Sequence, residues 1–411
     1  MKLLRILLQC AGVLLLTVGA SACIGDSSTC HCALNPSASK FAYVVGRGGS
    51  VSSFTINATT GGLSTVAGSP FASGQSPYYA ASDPAGKFLY VSDPSTPGIF
   101  AFSINQTTGA LTAIAGSPFQ TESGELITAL VPVVDPSGQF LYVTDFDSCD
   151  DGCRGAISAF KIAADGSLTV VQGSPYPTDY RTVGIAIHPS GQFVYAVNSG
   201  TGDISAFQVN PTSGALTEIE GSPFAVGQFI LTFAAMYPSG GFLYVTGFAQ
   251  TAGAGFVFPL AINSTTGAVS FTAGSQVAAG IAPIGIDVDA IDNFLYVANE
   301  GDSNGPPVVS GSIFAYRINA TTGALMPIAG SPFATAGSYP SQIAVDRSCR
   351  FLYATNNNVG SPGLAADYLL GFSIDPLAGT LTAVPGSPFN TSASGDPFGI
   401  ALAPHQTSTI P

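Results

Sequence analysis

Seven near-copies of one phrase, strand-like runs set between glycine turns, and a lone strand-like run at the C-terminus predict an all-β protein. The architecture they imply is a seven-bladed β-propeller of four-stranded antiparallel blades, its ring closed by the C-terminal strand completing the first blade. The phrase is clearest from Asp135 to Phe160, where D-P-S-G-Q-F-L-Y-V-T-D precedes a loop and then G-A-I-S-A-F. It returns from Asp83, His188 and Tyr237, and more weakly from Asp289 and Asp346. The anchors Phe41, Phe88, Phe140, Phe193, Phe242, Phe294 and Phe351 lie 47, 52, 53, 49, 52 and 57 residues apart by subtraction. Such a period signifies radial or linear repetition, in which each unit cannot bury its faces alone.

Within a repeat the elements follow from residue type. The first strand ends at D-P-S-G, whose proline and glycine suit a type I turn. The second is F-L-Y-V and the third I-S-A-F-S-I, both alternating and rich in β-branched and aromatic residues. A turn of the form N-x-T-T-G leads to the fourth, A-L-T, after which G-S-P-F reads as an exit from the strand with a packed phenylalanine. The copy at Phe41 has no first strand, and the run Phe398-Gly-Ile-Ala-Leu-Ala403 has no second strand after it. Each supplies what the other lacks. The turns joining first to second and third to fourth strands are short and uniform, so recognition falls on the opposite face, where the loops after Asp145, Gly247, Asn299 and Asn356 are long.

Composition narrows the classes. Charged residues are 9% of the chain and the net charge is −13, becoming −15 once Lys2 and Arg5 leave with a signal segment. That surface repels phosphate backbones, and nucleic acid is not expected as a partner. Lys2 and Arg5 precede the apolar run Ile6–Val18 and the small-residue exit Gly19-Ala-Ser-Ala-Cys23, too short for a span and suited to a secretory signal. Two outcomes stay open: cleavage at A-S-A into a soluble protein, or lipidation of Cys23, since the stretch resembles a bacterial lipobox. The second is favoured and puts an anchored lipoprotein at the cell envelope. The expected layout is signal 1–22, tether 23–40, propeller 41–404 and tail 405–411. Cys149 and Cys153 suit a short disulfide in an oxidising compartment, and Cys30 or Cys32 is expected to pair with Cys349.

The repeats F-L-Y-V, I-S-A-F-x-I, T-T-G-A-L-T and G-S-P-F across residues 41 to 404 resemble the lactonase family of seven-bladed propellers, which includes 6-phosphogluconolactonases and is related to Y-V-T-N repeats. The resemblance implies a lactone-hydrolysing activity, and Asn299-Glu300 looks like the N-E pair whose glutamate faces the site in enzymatic relatives. The arginine and histidine those relatives carry at the start of the first strand are replaced in this blade by Ala282-Pro-Ile-Gly285, and Arg181 is the arginine nearest such a place elsewhere. The catalytic candidates are therefore Glu300, Arg181 and Arg47. Further charges on the long-loop face are Glu122, Glu125, Arg154 and Asp302. Asp145, Asp147 and Asp150 could hold Ca²⁺ but lack the spacing of an EF-hand, so an acidic stapled loop is preferred and no cofactor is expected. His188 fills a turn position and is read as structural. With so sparse a set of ionisable groups, the sequence favours a monomeric binding or scaffold module for an envelope carbohydrate or protein, with the lactonase as the alternative.

Overall fold

The computed structural model describes residues 39–96, 98–120, 128–146, 154–249, 253–272, 274–291, 293–302, 309–335, 339–357, 368–391 and 395–404. They form seven antiparallel sheets and, among the described residues, no helix. Inner strands touch their neighbours all the way round the ring. Closure is as expected: Pro397–Pro404 is the inner strand of the first blade and pairs with Ser39–Gly46, with Ala403 opposite Phe41 and Gly399 opposite Val45.

One clasp, repeated seven times, explains why the phrase contains what it does. The tyrosine of F-L-Y-V donates its hydroxyl to the carbonyl of the T-T-G-type glycine in the next blade: Tyr43 to Gly109 at 3.1 Å, Tyr195 to Gly267 at 3.0 Å, and finally Tyr353 of blade 7 to Gly61 of blade 1 at 2.8 Å. The anchor phenylalanine packs on the same glycine. A Cβ on Gly109 would stand 2.4 Å from Phe41 Cδ1, and φ there is +78°, so both space and backbone require glycine. On the rim, Lys40 donates to Gln106 O at 2.8 Å and Arg350 to Ala58 O at 2.8 Å, each lying over its own anchor ring. Asn57 Oδ1 accepts the N–H groups of Thr59 and Thr60, so turn geometry accounts for the asparagine of the N-x-T-T-G turn.

The outer edge corrects the sequence reading. G-S-P-F is not an exit. The third strand Ser50–Ile56 pairs with Leu63–Thr65 along one half and with Phe71–Ala72 along the other, so the chain leaves the edge, turns at the cis Ser69–Pro70 bond and pairs again. Six blades share this cis Ser–Pro turn. In each, the serine Oγ accepts the third-strand N–H that the turn leaves uncovered, as Ser69 does from Ser53 (2.9 Å) and Ser222 from Ala206 (3.0 Å). His188 is structural as read, its ring bonded to Ser190 Oγ at 2.7 Å and Gly240 O at 3.2 Å. Cys349 is buried in a short turn beside the start of the first blade, where Ser39 N donates to Asp346 Oδ1 at 2.6 Å; Cys30 and Cys32 lie outside the described residues.

Candidate functional site

The end of the channel under the long loops is built by irregularities in the inner strands. Register shifts fall between Leu231 and Ala234 in blade 5 and between Pro340 and Ile343 in blade 7. The shifted residue donates its N–H to a threonine hydroxyl of the second strand, Phe233 to Thr246 at 3.2 Å and Gln342 to Thr355 at 3.0 Å. Glycines make room beside them: a Cβ on Gly184 would lie 3.1 Å from Phe233 Cα, and one on Gly399 2.8 Å from Tyr79 Cα.

Rings close the axis at this level. Tyr79 of blade 2 and Phe233 of blade 5 stand on opposite sides of a seven-membered ring, yet their centroids are 5.6 Å apart. Phe398 of blade 1 lies 5.3 Å from Tyr79 and 5.2 Å from Tyr78. Arg47, just past the second strand of blade 1, sets its guanidinium carbon 4.1 Å from the Phe398 centroid and 4.4 Å from that of Tyr78. Contacts of this kind contribute about 0.5–2 kcal/mol and fix the cation in place. Its Nε is buried and has no hydrogen-bond partner among the described residues.

Glu300 follows the second strand of blade 6, its N–H bonded to Ala282 O at 3.0 Å. Burial raises its carboxyl above the ordinary range, and the positive charge of Arg47 acts in the opposite direction. Burial also pushes the Tyr79 phenol far up, with Arg47 lowering it and Glu300 raising it. Arg47, Glu300 and Tyr79, from blades 1, 6 and 2, are thus within electrostatic reach of one another. A carboxyl whose proton affinity is raised by burial can exchange a proton with water, and a fixed cation within electrostatic reach of it can stabilise a developing anion.

Of the other predicted residues, Arg181 lies elsewhere. Its guanidinium sits 5.2 Å from the Phe146 centroid. Its backbone, at φ +60°, occupies the place that Ala282 holds at φ +51° in Glu300's blade, and each carbonyl accepts the N–H following the second-strand asparagine. Arg154 starts the third strand of blade 3 opposite Tyr180 and is exposed. Asp302 closes a loop through paired backbone bonds with Val309 at 2.9 and 2.8 Å. Asp145 is buried, accepts the Ser158 hydroxyl, and has a carboxyl pushed up to about 7 by burial. Glu122, Glu125, Asp147, Asp150, Cys23, Cys149 and Cys153 fall outside the described residues. Among the described residues no three metal-ligating side chains gather. Sequence reasoning missed Tyr78, Tyr79, Phe233 and Phe398. The available signal was the position nine residues before the anchor phenylalanine, shared by Tyr79, Phe233 and Gln342.

Ring, clasp and channel define a seven-bladed β-propeller with its polar site at the long-loop mouth. The chain matches the family described as "Lactonase, 7-bladed beta-propeller" over residues 28–129 and 132–233. It is 30% identical over 94 residues to a 6-phosphogluconolactonase of Serratia proteamaculans, a stretch spanning 23% of this chain and only 26% of that relative. Among solved structures it resembles a putative 6-phosphogluconolactonase of Bacteroides fragilis (TM-score 0.68, 17% identity, 89% of this chain and 98% of that one). It also resembles a periplasmic gluconolactonase of Pseudomonas aeruginosa (TM-score 0.62, 18% identity, 85% and 98%). At such identities these structures speak for the fold alone.

Proposed function

We propose that the protein is a lactonase-type hydrolase that opens a sugar or organic-acid lactone at the mouth of its channel. The observation carrying this reading is that Arg47, held over the rings of Tyr78 and Phe398, lies within electrostatic reach of Glu300, from blades that sequence order keeps far apart. In the proposed reaction Glu300 takes a proton from water as the oxygen attacks the lactone carbonyl. The ring C–O bond then breaks, the leaving alkoxide takes that proton back, and a hydroxy acid results. Arg47 faces the oxyanion and then the product carboxylate, while Tyr79 and Phe233 hold the ring of the substrate. The match to lactonases supports this reading over the binding or scaffold module. In this proposal the enzyme works in the cell envelope, tethered through Cys23, and needs no metal.

The test uses residues 23–411 and a panel of aldono- and muconate-type lactones, following acid release above the spontaneous rate. Glu300→Gln should lower kcat by about 100-fold or more with unchanged circular dichroism, and Arg47→Ala should also lower kcat, with less effect on KM, because its partner is the oxyanion that forms in the reaction. A flat panel, or a Glu300→Gln enzyme with wild-type kcat, overturns the proposal.

A further inference from the structure

Blade 5 departs from the other six at its outer edge, and a cavity opens there. In the six, an aliphatic side chain three residues before the Ser–Pro serine is buried or half-buried at the blade contact: Val66, Ile114, Val171, Ile219, Ile328 and Val384. Ile114 and Ile219 reach the T-T-G-type glycine of the next blade, each with Cδ1 within 2.7 Å of where a Cβ would sit. In blade 5 that position is Thr272, and it is exposed. Two residues after the serine, an aromatic ring covers the turn glycine in the six, as Phe333 does over Gly330 at 3.6 Å. Blade 5 has Val277, paired with Val257 as Phe333 is with Ile313, and no described residue comes within 4 Å of the corresponding point on Gly274.

A third change is chemical. Each serine of the six accepts an N–H from the third-strand residue opposite the clasp tyrosine. Opposite Tyr244 that residue is Pro259, which has no N–H to give. Ser275 keeps the turn, donating its own N–H to Thr272 O at 3.0 Å, but its Oγ is buried and has no hydrogen-bond partner among the described residues. The cavity left by these changes is ≈ 210 Å³, lies between Phe242 and Pro259 of blade 5 and Thr322 of blade 6, and is lined by no charged residue.

We propose that this rim cavity binds a small, uncharged ring compound carrying one hydroxyl, of the phenol class. The ring takes the place of the aliphatic and aromatic side chains missing from this blade, and its O–H donates to the orphaned Ser275 Oγ. Size agrees, since a cavity of about 150 Å³ accommodates benzene. The absence of lining charge excludes anions and cations. This site stands apart from the channel mouth and does not rest on the lactonase reading.

The experiment titrates phenol, toluene and benzoate into the full mature chain, read by saturation-transfer NMR and by melting temperature. Phenol should saturate with a Kd in the roughly millimolar range expected of so small a ligand. Toluene should bind about 3- to 10-fold more weakly, the worth of one hydrogen bond, and benzoate should not bind. Thr272→Ile and Val277→Phe restore the side chains of the other blades, so each should weaken phenol at least about tenfold without lowering the melting temperature. Ser275→Ala, which alters no packing, should reduce phenol to the level of toluene. Absence of saturable phenol binding, or phenol held equally by Ser275→Ala and by both filled variants, overturns the proposal.

Discussion

Gly109→Ala tests the clasp that joins each blade to the next. The new methyl meets two obstacles. At φ +78° an L-residue is strained by about 1–2 kcal/mol. Its Cβ would also stand 2.4 and 2.6 Å from Cδ1 and Cε1 of Phe41, a ring 1% exposed with no free space to retreat into. Shifting a packed ring costs about 1–3 kcal/mol, and moving the turn weakens the Tyr43 hydrogen bond to Gly109 O, worth about 1 kcal/mol. Gly138→Ala supplies the control. It has nearly the same backbone, φ +72°, but its Cβ would make only an ordinary 3.6 Å contact with Pro84 Cδ. Strain is therefore common to both variants, and the excess of the first over the second isolates the clasp at about 2–4 kcal/mol. The protein has no tryptophan, so far-UV circular dichroism during guanidinium unfolding is the appropriate signal. Equal midpoints for the two variants would refute the reasoning, because the ring of Phe41 would then have yielded without cost.

Three other outcomes follow from the same geometry. Ser222→Ala should destabilise by about 1–3 kcal/mol by stranding the Ala206 N–H, whereas Ser275→Ala should change stability by under about 0.5 kcal/mol because Pro259 offers no N–H to strand; paired denaturant titrations decide this. Removing residues 396–411 takes away the inner strand of blade 1 and should yield a chain that aggregates or loses cooperative melting in calorimetry. Arg47→Ala should move the acid limb of kcat/KM to higher pH: Arg47 lowers the Glu300 pKa, so without it the carboxyl stays protonated, and inactive as a base, further up the pH scale.

The architecture was legible because its determinants recur. Phe41, Tyr43 and the glycine of T-T-G repeat at fixed offsets, and each copy corroborates the others. What those residues touch was not legible, since Tyr43 finds its acceptor in the following copy and not in its own. The re-entrant outer edge escaped for a related reason: G-S-P-F reads as an exit from the strand, and only the folded sheet shows the chain pairing again beyond it. At the channel mouth the difficulty is greater. Tyr79 and Phe233 meet because the ring places blades 2 and 5 face to face, and no local pattern encodes that meeting. Glu300 was visible from its place after the second strand, and Arg181 from its place before the first, but the two places belong to different blades and their side chains part company.

The distribution of cations carries the functional argument one step further. Lys40, Arg317 and Arg350 all lie over anchor phenylalanines on the short-turn face, each donating to a backbone carbonyl of the next blade. Their charges are absorbed by the fold. Arg47 differs from them: its guanidinium is held by the rings of Tyr78 and Phe398, with its Nε unpartnered among the described residues. Rings fix the position of a cation without satisfying its N–H donors. An arginine immobilised in this way, within electrostatic reach of the half-buried carboxyl of Glu300, keeps hydrogen-bonding capacity in reserve for an anion that forms on a bound molecule. That is the requirement a lactone places on its hydrolase, whose substrate is neutral when it binds and negatively charged when it leaves.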